Sequence, residues 1–123
     1  MKRTLVVDVD GTIFEYDKYE FGKFGKPRQE VIDLLVEYKN LDPKKHQIAI
    51  QTTRSWAEYE QLKERLDLFK VPYDIINMGS KCIGFAYLDD RAVNVSGKRE
   101  HWESRFANLL YGDEDAKDGN DEE

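Results

Sequence analysis

One stretch constrains this chain more than any other. Thr4 to Val9, "TLVVDV", runs apolar residues straight into acid, and "DGT" follows at once. A strand with one face in water would alternate polar and apolar positions. This one does not, so it is expected to be a central strand of a parallel sheet, buried on both sides.

The rest of the chain supplies what such a sheet needs. Residues 12 to 26 are aromatic, charged and broken by Gly22 and Gly25, which predicts a loop or small hairpin. Pro27 suits a first helical turn, and "PRQEVIDLLVEYKNL" places Val31, Leu34, Leu35 and Tyr38 at helical spacing. "HQIAIQTT" reads as a second strand through Ile48 and Ile50. Ser55 can cap the helix "SWAEYEQLKERLDLF", with Glu58 three residues on to complete a capping box. "YDIINM" and "GFAYLDD" read as short strands, and "REHWESRFANLLYG" as a closing helix ending at Gly112. Strand and helix alternate throughout, so the expected class is α/β, a parallel sheet with helices on both faces.

Composition sets bounds. The chain has 123 residues and one core is expected, over 1–112. The net charge of −6 resides in residues 113–123, which hold seven acids and one lysine. That tail cannot bury apolar surface and is expected to be disordered, a solubilising end rather than a binding element. The remaining body is neutral, which argues against a general nucleic-acid binder. No apolar run reaches the roughly 20 residues of a membrane span. The N-terminus lacks the small-residue cleavage site of a signal peptide, and Asn94-Val95-Ser96 is read as a chance match to a glycosylation acceptor. Cys82 is the lone cysteine, which fits a reducing, cytoplasmic setting and an inert buried thiol. His46 and His101 are isolated and make no zinc site, Trp56 and Trp102 are read as packing residues, and no glycine-rich nucleotide motif occurs.

The chemistry gathers at the strand ends. Asp8 and Asp10 stand two apart, on one face of an ideal strand and about 6.6 Å from each other. Gly11 permits an abrupt turn and Thr12 can bond to it. Two neighbouring acids repel each other and call for a cation or a proton. The second strand ends at "QTTRS" and the fourth at "YLDDR", with Lys81 just before the latter. In a parallel sheet Asp8, Asp10, Thr52, Lys81, Asp89 and Asp90 meet at one edge, where open α/β sheets bind ligands. Carboxylates from two strands suit Mg²⁺. A hydroxyl and an ammonium can grip phosphoryl oxygens. One aspartate is then available as a nucleophile.

The ordered set "DVDGT", "TTR", Lys81 and "YLDDRAV" resembles the haloacid dehalogenase superfamily, in particular its small capless phosphatases with an IDDRA-like fourth motif. The resemblance covers about Leu5 to Asn94. It implies a Rossmann-like three-layer α/β/α sandwich without a cap domain. It also implies Mg²⁺-dependent hydrolysis of a phosphomonoester through an aspartyl-phosphate. By this resemblance Asp8 is the nucleophile and a metal ligand. Asp10 is the general acid and base, with its carbonyl on the metal. Thr52 holds the phosphoryl group, Lys81 neutralises it, and Asp90 with Asp89 completes the metal site. The chain departs from the family in two places: Cys82 follows Lys81 where a proline is usual, and Thr53 replaces a small residue. Lys98 is the only nearby alternative to Lys81 and falls after the fourth motif. Arg54 and Arg91 brace acids or touch substrate.

The gaps between motifs are too short for a cap, so an open site is expected. The loop "FEYDKYEFGKFGKPR" would form its rim, with Lys18, Lys23, Lys26 and Arg28 among Phe14, Tyr16, Tyr19, Phe21 and Phe24. Basic and aromatic side chains so interleaved could bind an oligonucleotide end, a glycan or a small phosphate ester, or the rings could simply pack on the domain. Subunit packing could also supply a cover. Two other classes stay open: a catalytically weak phosphate-binding or interaction module, and, further behind, a glycosidase using Asp8 and Asp10.

Overall fold

The structure is a computed structural model that describes residues 2–79, 84–92 and 94–121. Lys81 and Cys82 lie outside the described residues. The chain forms two compact units, Met1–Asp90 and Arg91–Glu123.

The first unit is built on a four-stranded, all-parallel sheet. Its strands are β1 (Arg3–Asp8), β2 (His46–Thr52), β3 (Ile75–Met78) and β4 (Ala86–Leu88). Helix α1 (Gln29–Leu41) joins β1 to β2. A 3₁₀ turn (Trp56–Glu58) and helix α2 (Tyr59–Leu68) join β2 to β3. The spatial order is β3-β2-β1-β4, so β1 is central, as its uninterrupted apolar run requires. Leu5 pairs with Ile48 and Ala86, and Val7 with Ile50 and Leu88.

Both crossover helices pack on one face. Leu5, Val7, Ile48 and Ile50 share a core cluster with Ile32 and Leu35 of α1 and Leu62 and Leu66 of α2. Val6 and Ala49, which pair on the opposite face, are buried but stand outside that cluster. Alternation of strand and helix led to helices on both faces. Here the two crossovers step in the same direction, from β1 to β2 to β3, and crossovers of one hand that step the same way put their helices on the same side. Phe14 closes this core from the loop. It is fully buried, 5.9 Å from the Phe24 ring and 6.1 Å from Phe69.

Local details depart from the sequence reading. Pro27 lies before α1 rather than in its first turn, in a bridge with Phe14. The capping box at Ser55 does not form. Ser55 makes no side-chain cap bond, and the Glu58 carboxylate is committed to Arg54, Tyr19 and Gly22 instead. A buried ionic partner outbids an exposed amide for that side chain. Trp56 is 65 % exposed, its ring tilted against Tyr59 with centroids 5.5 Å apart, so it does not pack in the core.

At the far edge of the sheet His46 stacks on Tyr38 with centroids 4.3 Å apart. Lys39 there joins the His46 carbonyl to Asp74, tying α1 to the starts of β2 and β3. The second unit contains α3 (Arg99–Asp121), which continues past Gly112. Glycine makes a helix end inexpensive but does not impose one, at a cost near 1 kcal/mol in a helix interior. No helix among the described residues is long and apolar enough to cross a membrane.

Leu35, with no exposed surface, and Leu41, 77 % exposed, sit on the same helix. Leu35→Ala should cost about 2–5 kcal/mol of unfolding free energy, and Leu41→Ala less than about 0.5. Urea titration of the two variants checks the core assignment.

Candidate functional site

Strand order locates the site before any side chain is considered. The chain adds β2 and β3 on one side of β1 and then places β4 on the other. The crevice at the carboxyl ends of β1 and β4 is therefore the topological switch point, where connections diverge and backbone groups face a gap. Asp8 ends β1, and Asp89 and Asp90 follow β4. One carboxylate oxygen from each of these three residues lies within 4.8 Å of the others. All are hard oxygen donors, so the trio could hold a divalent cation.

The turn after β1 is shaped around this group. The Val9 carbonyl accepts the amides of Thr12, Ile13 and Phe14, and the Gly11 amide donates to the Phe14 carbonyl at 2.7 Å. Gly11 has φ +88°, and a Cβ there would stand 2.2 Å from Asp90 Oδ2. Glycine is thus required twice, for its conformation and for the space the Asp90 carboxylate occupies. Arg28 Nη1 donates to the Gly11 carbonyl at 3.1 Å and fixes the turn from below, so Arg28 braces the site rather than its rim. The Thr12 hydroxyl stands 3.5 Å from Asp8 Oδ2.

Burial first, and then the charges of Asp89 and Asp90, push the Asp8 carboxyl up from 3.8 to about 7, against an opposing hydrogen bond from the Val9 amide. Its carboxyl can share its proton with Asp90. Three crowded acids with no cation among them must share a proton or repel.

Thr52 is buried at the end of β2. Its Oγ1 accepts the Arg54 amide at 3.1 Å, which leaves the hydroxyl proton to donate. Asp8, Thr52, Thr53, Gly79 and Asp89 line one open-sided cavity of about 260 Å³, with Tyr87 on its wall.

Asp10 is placed differently. The strand ends at Asp8, and the chain turns before the two carboxylates can share a face. Asp10 does not join the three-acid group. Both its oxygens accept from Arg54, Nε and Nη2 each at 2.9 Å. It borders a second cavity of about 160 Å³, formed with Tyr16, Lys18, Glu20, Lys23 and Arg54. Lys23 is itself paired with Glu20 at 3.7 Å. Among the rim aromatics Phe14 is core, Phe24 is half-buried, and Tyr16, Tyr19 and Phe21 are exposed.

Arg54 and Glu58 form a buried pair at 2.7 Å, with side chains 3 % and 1 % exposed. Burial opposes the Glu58 charge, but donors from Gly22, Arg54 and Tyr19 outweigh it and hold its pKa below the ordinary value. Burial likewise opposes the Arg54 charge, and bonds to Asp10 and Glu58 carry its pKa above the ordinary value. Glu58 escaped notice in the sequence because it read as half of a capping box. Its spacing of four from Arg54 was the available signal.

Comparison of the chain with family models, curated proteins and solved structures gives no match.

Two outcomes test this geometry. Gly79 shares a positive φ, +80°, but has open space where its Cβ would go. Gly79→Ala should therefore cost about 1–3 kcal/mol of strain, and Gly11→Ala measurably more, because Asp90 must also move. Equal losses in urea titrations would contradict the close approach of Asp90.

The second concerns pH. Native Asp8 keeps its proton to about 7, while the unfolded chain loses it near 3.8. Between those values the native state binds the extra proton, so Asp8 makes stability fall as pH rises, and the loss levels off above about 7. In chelator, the parent should lose more stability from pH 4 to 7 than Asp8→Asn does. Parallel pH profiles of the urea midpoint would contradict the shift.

Proposed function

We propose that this chain is a metal-dependent phosphomonoesterase of the haloacid dehalogenase superfamily, with Asp8 as nucleophile. The observation that carries the reading is the convergence of Asp8, Asp89 and Asp90 at the switch point of a parallel sheet. Thr52 opens on the same cavity as Asp8. The finer fold reading, a Rossmann-like three-layer α/β/α sandwich without a cap, belongs to this proposal. Its capless part is supported by the connections of β1 to β2 and β2 to β3, which hold only a loop, a 3₁₀ turn and single helices.

The residues present fit a hard cation. Three carboxylates from two strand ends offer oxygen alone, and Gly11 leaves one of them room to close on the others. Asp8, Asp89 and Asp90, with the Asp10 carbonyl that the resemblance adds, would hold Mg²⁺, which would supply positive charge against the phosphoryl oxygens.

The protein's own groups then carry the reaction. The Thr52 hydroxyl donates to a phosphoryl oxygen and orients the ester, and Lys81 neutralises it by the resemblance. The free Asp8 oxygen attacks phosphorus, an acyl-phosphate anhydride bond forms at Asp8, and the bond to the leaving oxygen breaks. Asp10 gives its proton to that oxygen as it departs. Asp10 next accepts a proton from water, the hydroxyl oxygen bonds to phosphorus, and the bond to Asp8 breaks. Phosphate leaves and both carboxyls return to their starting states.

The substrate end of the proposal follows from the open cavities. With no inserted domain between β1 and β3, a small ester gains little beyond its phosphoryl group, whereas an oligonucleotide or glycan end could cover the opening itself. Tyr16 and Lys18 border the second cavity and would meet such a substrate. One observation favours a second reading, a phosphate-binding module without turnover. Asp10 is engaged by Arg54 rather than grouped with Asp8.

Purified protein should hydrolyse an aryl phosphate with Mg²⁺, better with Mn²⁺ than with Ca²⁺, and stop in excess chelator. Asp8→Asn should lower turnover by at least about 10³-fold. Rapidly quenched Asp10→Asn should carry phosphate on the peptide containing Asp8, detected by mass spectrometry. Phosphate on another residue, or full activity in chelator, would refute the reading. Binding of phosphate without hydrolysis would select the module.

A further inference from the structure

We propose that Arg54 is a positioning residue. It fixes the direction in which Asp10 can give and take a proton, and Glu58 and the loop of residues 15–26 hold Arg54 in place. This rests on the phosphatase reading and deepens it.

A guanidinium has five N–H donors in a rigid planar fork, and here all five are used. Nε and Nη2 donate to the two Asp10 oxygens. Nη1 donates to Glu58 Oε1 at 2.7 Å and to the Glu20 carbonyl at 3.1 Å. Nη2 also donates to the Lys23 carbonyl at 2.7 Å. The plane lies against the rings of Phe24 and Tyr19, its central carbon 4.1 and 4.9 Å from their centroids. Nothing remains with which Arg54 could bind a phosphoryl oxygen. Its work is on Asp10 and the loop.

Glu58 prevents the fork from sliding. It accepts the Tyr19 hydroxyl at 3.0 Å and the Gly22 amide at 2.9 Å while pairing with Arg54, so its carboxylate is anchored from the loop side. Moving Arg54 by one bond length would leave two buried charges poorly paired, a costly state.

The consequence for Asp10 is directional. Bidentate pairing consumes one lone pair on each oxygen and leaves one on each for a proton. The Asp10 side chain is 20 % exposed, so the free lone pairs can be reached from outside. Arg54 also draws this fourth acid away from Asp8, Asp89 and Asp90. The acids are thereby divided: three grouped for a cation, one oriented for proton transfer.

The test compares two esters by kcat/KM, which reports phosphoryl transfer to Asp8. p-Nitrophenyl phosphate leaves without needing a proton, whereas a simple alkyl phosphate needs one from Asp10. Arg54→Lys keeps the charge and loses the fork. It should lower kcat/KM for the alkyl ester by about 10²-fold and for the aryl ester by less than about fivefold. Mg²⁺ affinity by calorimetry should stay within about twofold, since Asp8, Asp89 and Asp90 are untouched. Glu58→Gln and Tyr19→Phe should show the same ordering with smaller losses, and they carry the test if Arg54→Lys fails to fold by circular dichroism. Equal losses on both esters, or none on either, in an active parent would overturn the positioning role alone. A parent inert toward both esters would overturn the phosphatase reading and this inference with it.

Discussion

The Met1–Asp90 unit depends on one buried guanidinium. Arg54 follows β2 at the sheet edge and reaches back to Asp10, forward to Glu58 and across to the carbonyls of Glu20 and Lys23. A charge this buried is tolerable only when every donor is met, and a partner removed leaves an unpaired ion. The loop of residues 15–26 has few apolar anchors of its own beyond Phe24, which packs on Phe14. It takes its path from the bonds that Arg54 and Glu58 require. An element that reads as surface loop is thereby fixed by electrostatics.

Beside this clamp stands a group of acids whose charges oppose one another. Asp8, Asp89 and Asp90 are brought together by strand order, and their repulsion adds to burial in raising the Asp8 pKa. Gly11 deepens the point, because its missing side chain is what lets Asp90 approach.

The two cavities divide the proposed chemistry. Asp8 and Thr52 face one and Asp10 borders the other, with the turn at Val9–Gly11 between them. A phosphoryl group in the first and a leaving group toward the second would place the bond to be broken near that turn. The mixed charge of the second cavity, Lys18 and Lys23 beside Glu15, Asp17 and Glu20, suits a polar leaving group better than a purely anionic one.

Much of this was legible in the sequence. The unbroken apolar run of Leu5–Val7 determined a central parallel strand, because no alternation left a face for water. The ends of the strands named Asp8, Thr52, Asp89 and Asp90, because residues that close parallel strands share one edge. Tertiary structure alone decided the rest. Which face the helices take follows from strand order, which local patterns do not encode. Whether Glu58 caps a helix or pairs with Arg54 depends on a loop more than thirty residues earlier in the chain. Asp8 and Asp10, two apart and identical in type, part company because the chain turns after Asp8 and Arg54 waits on the other side. Spacing along a strand sets where side chains can point, and long-range charge pairing sets where they do.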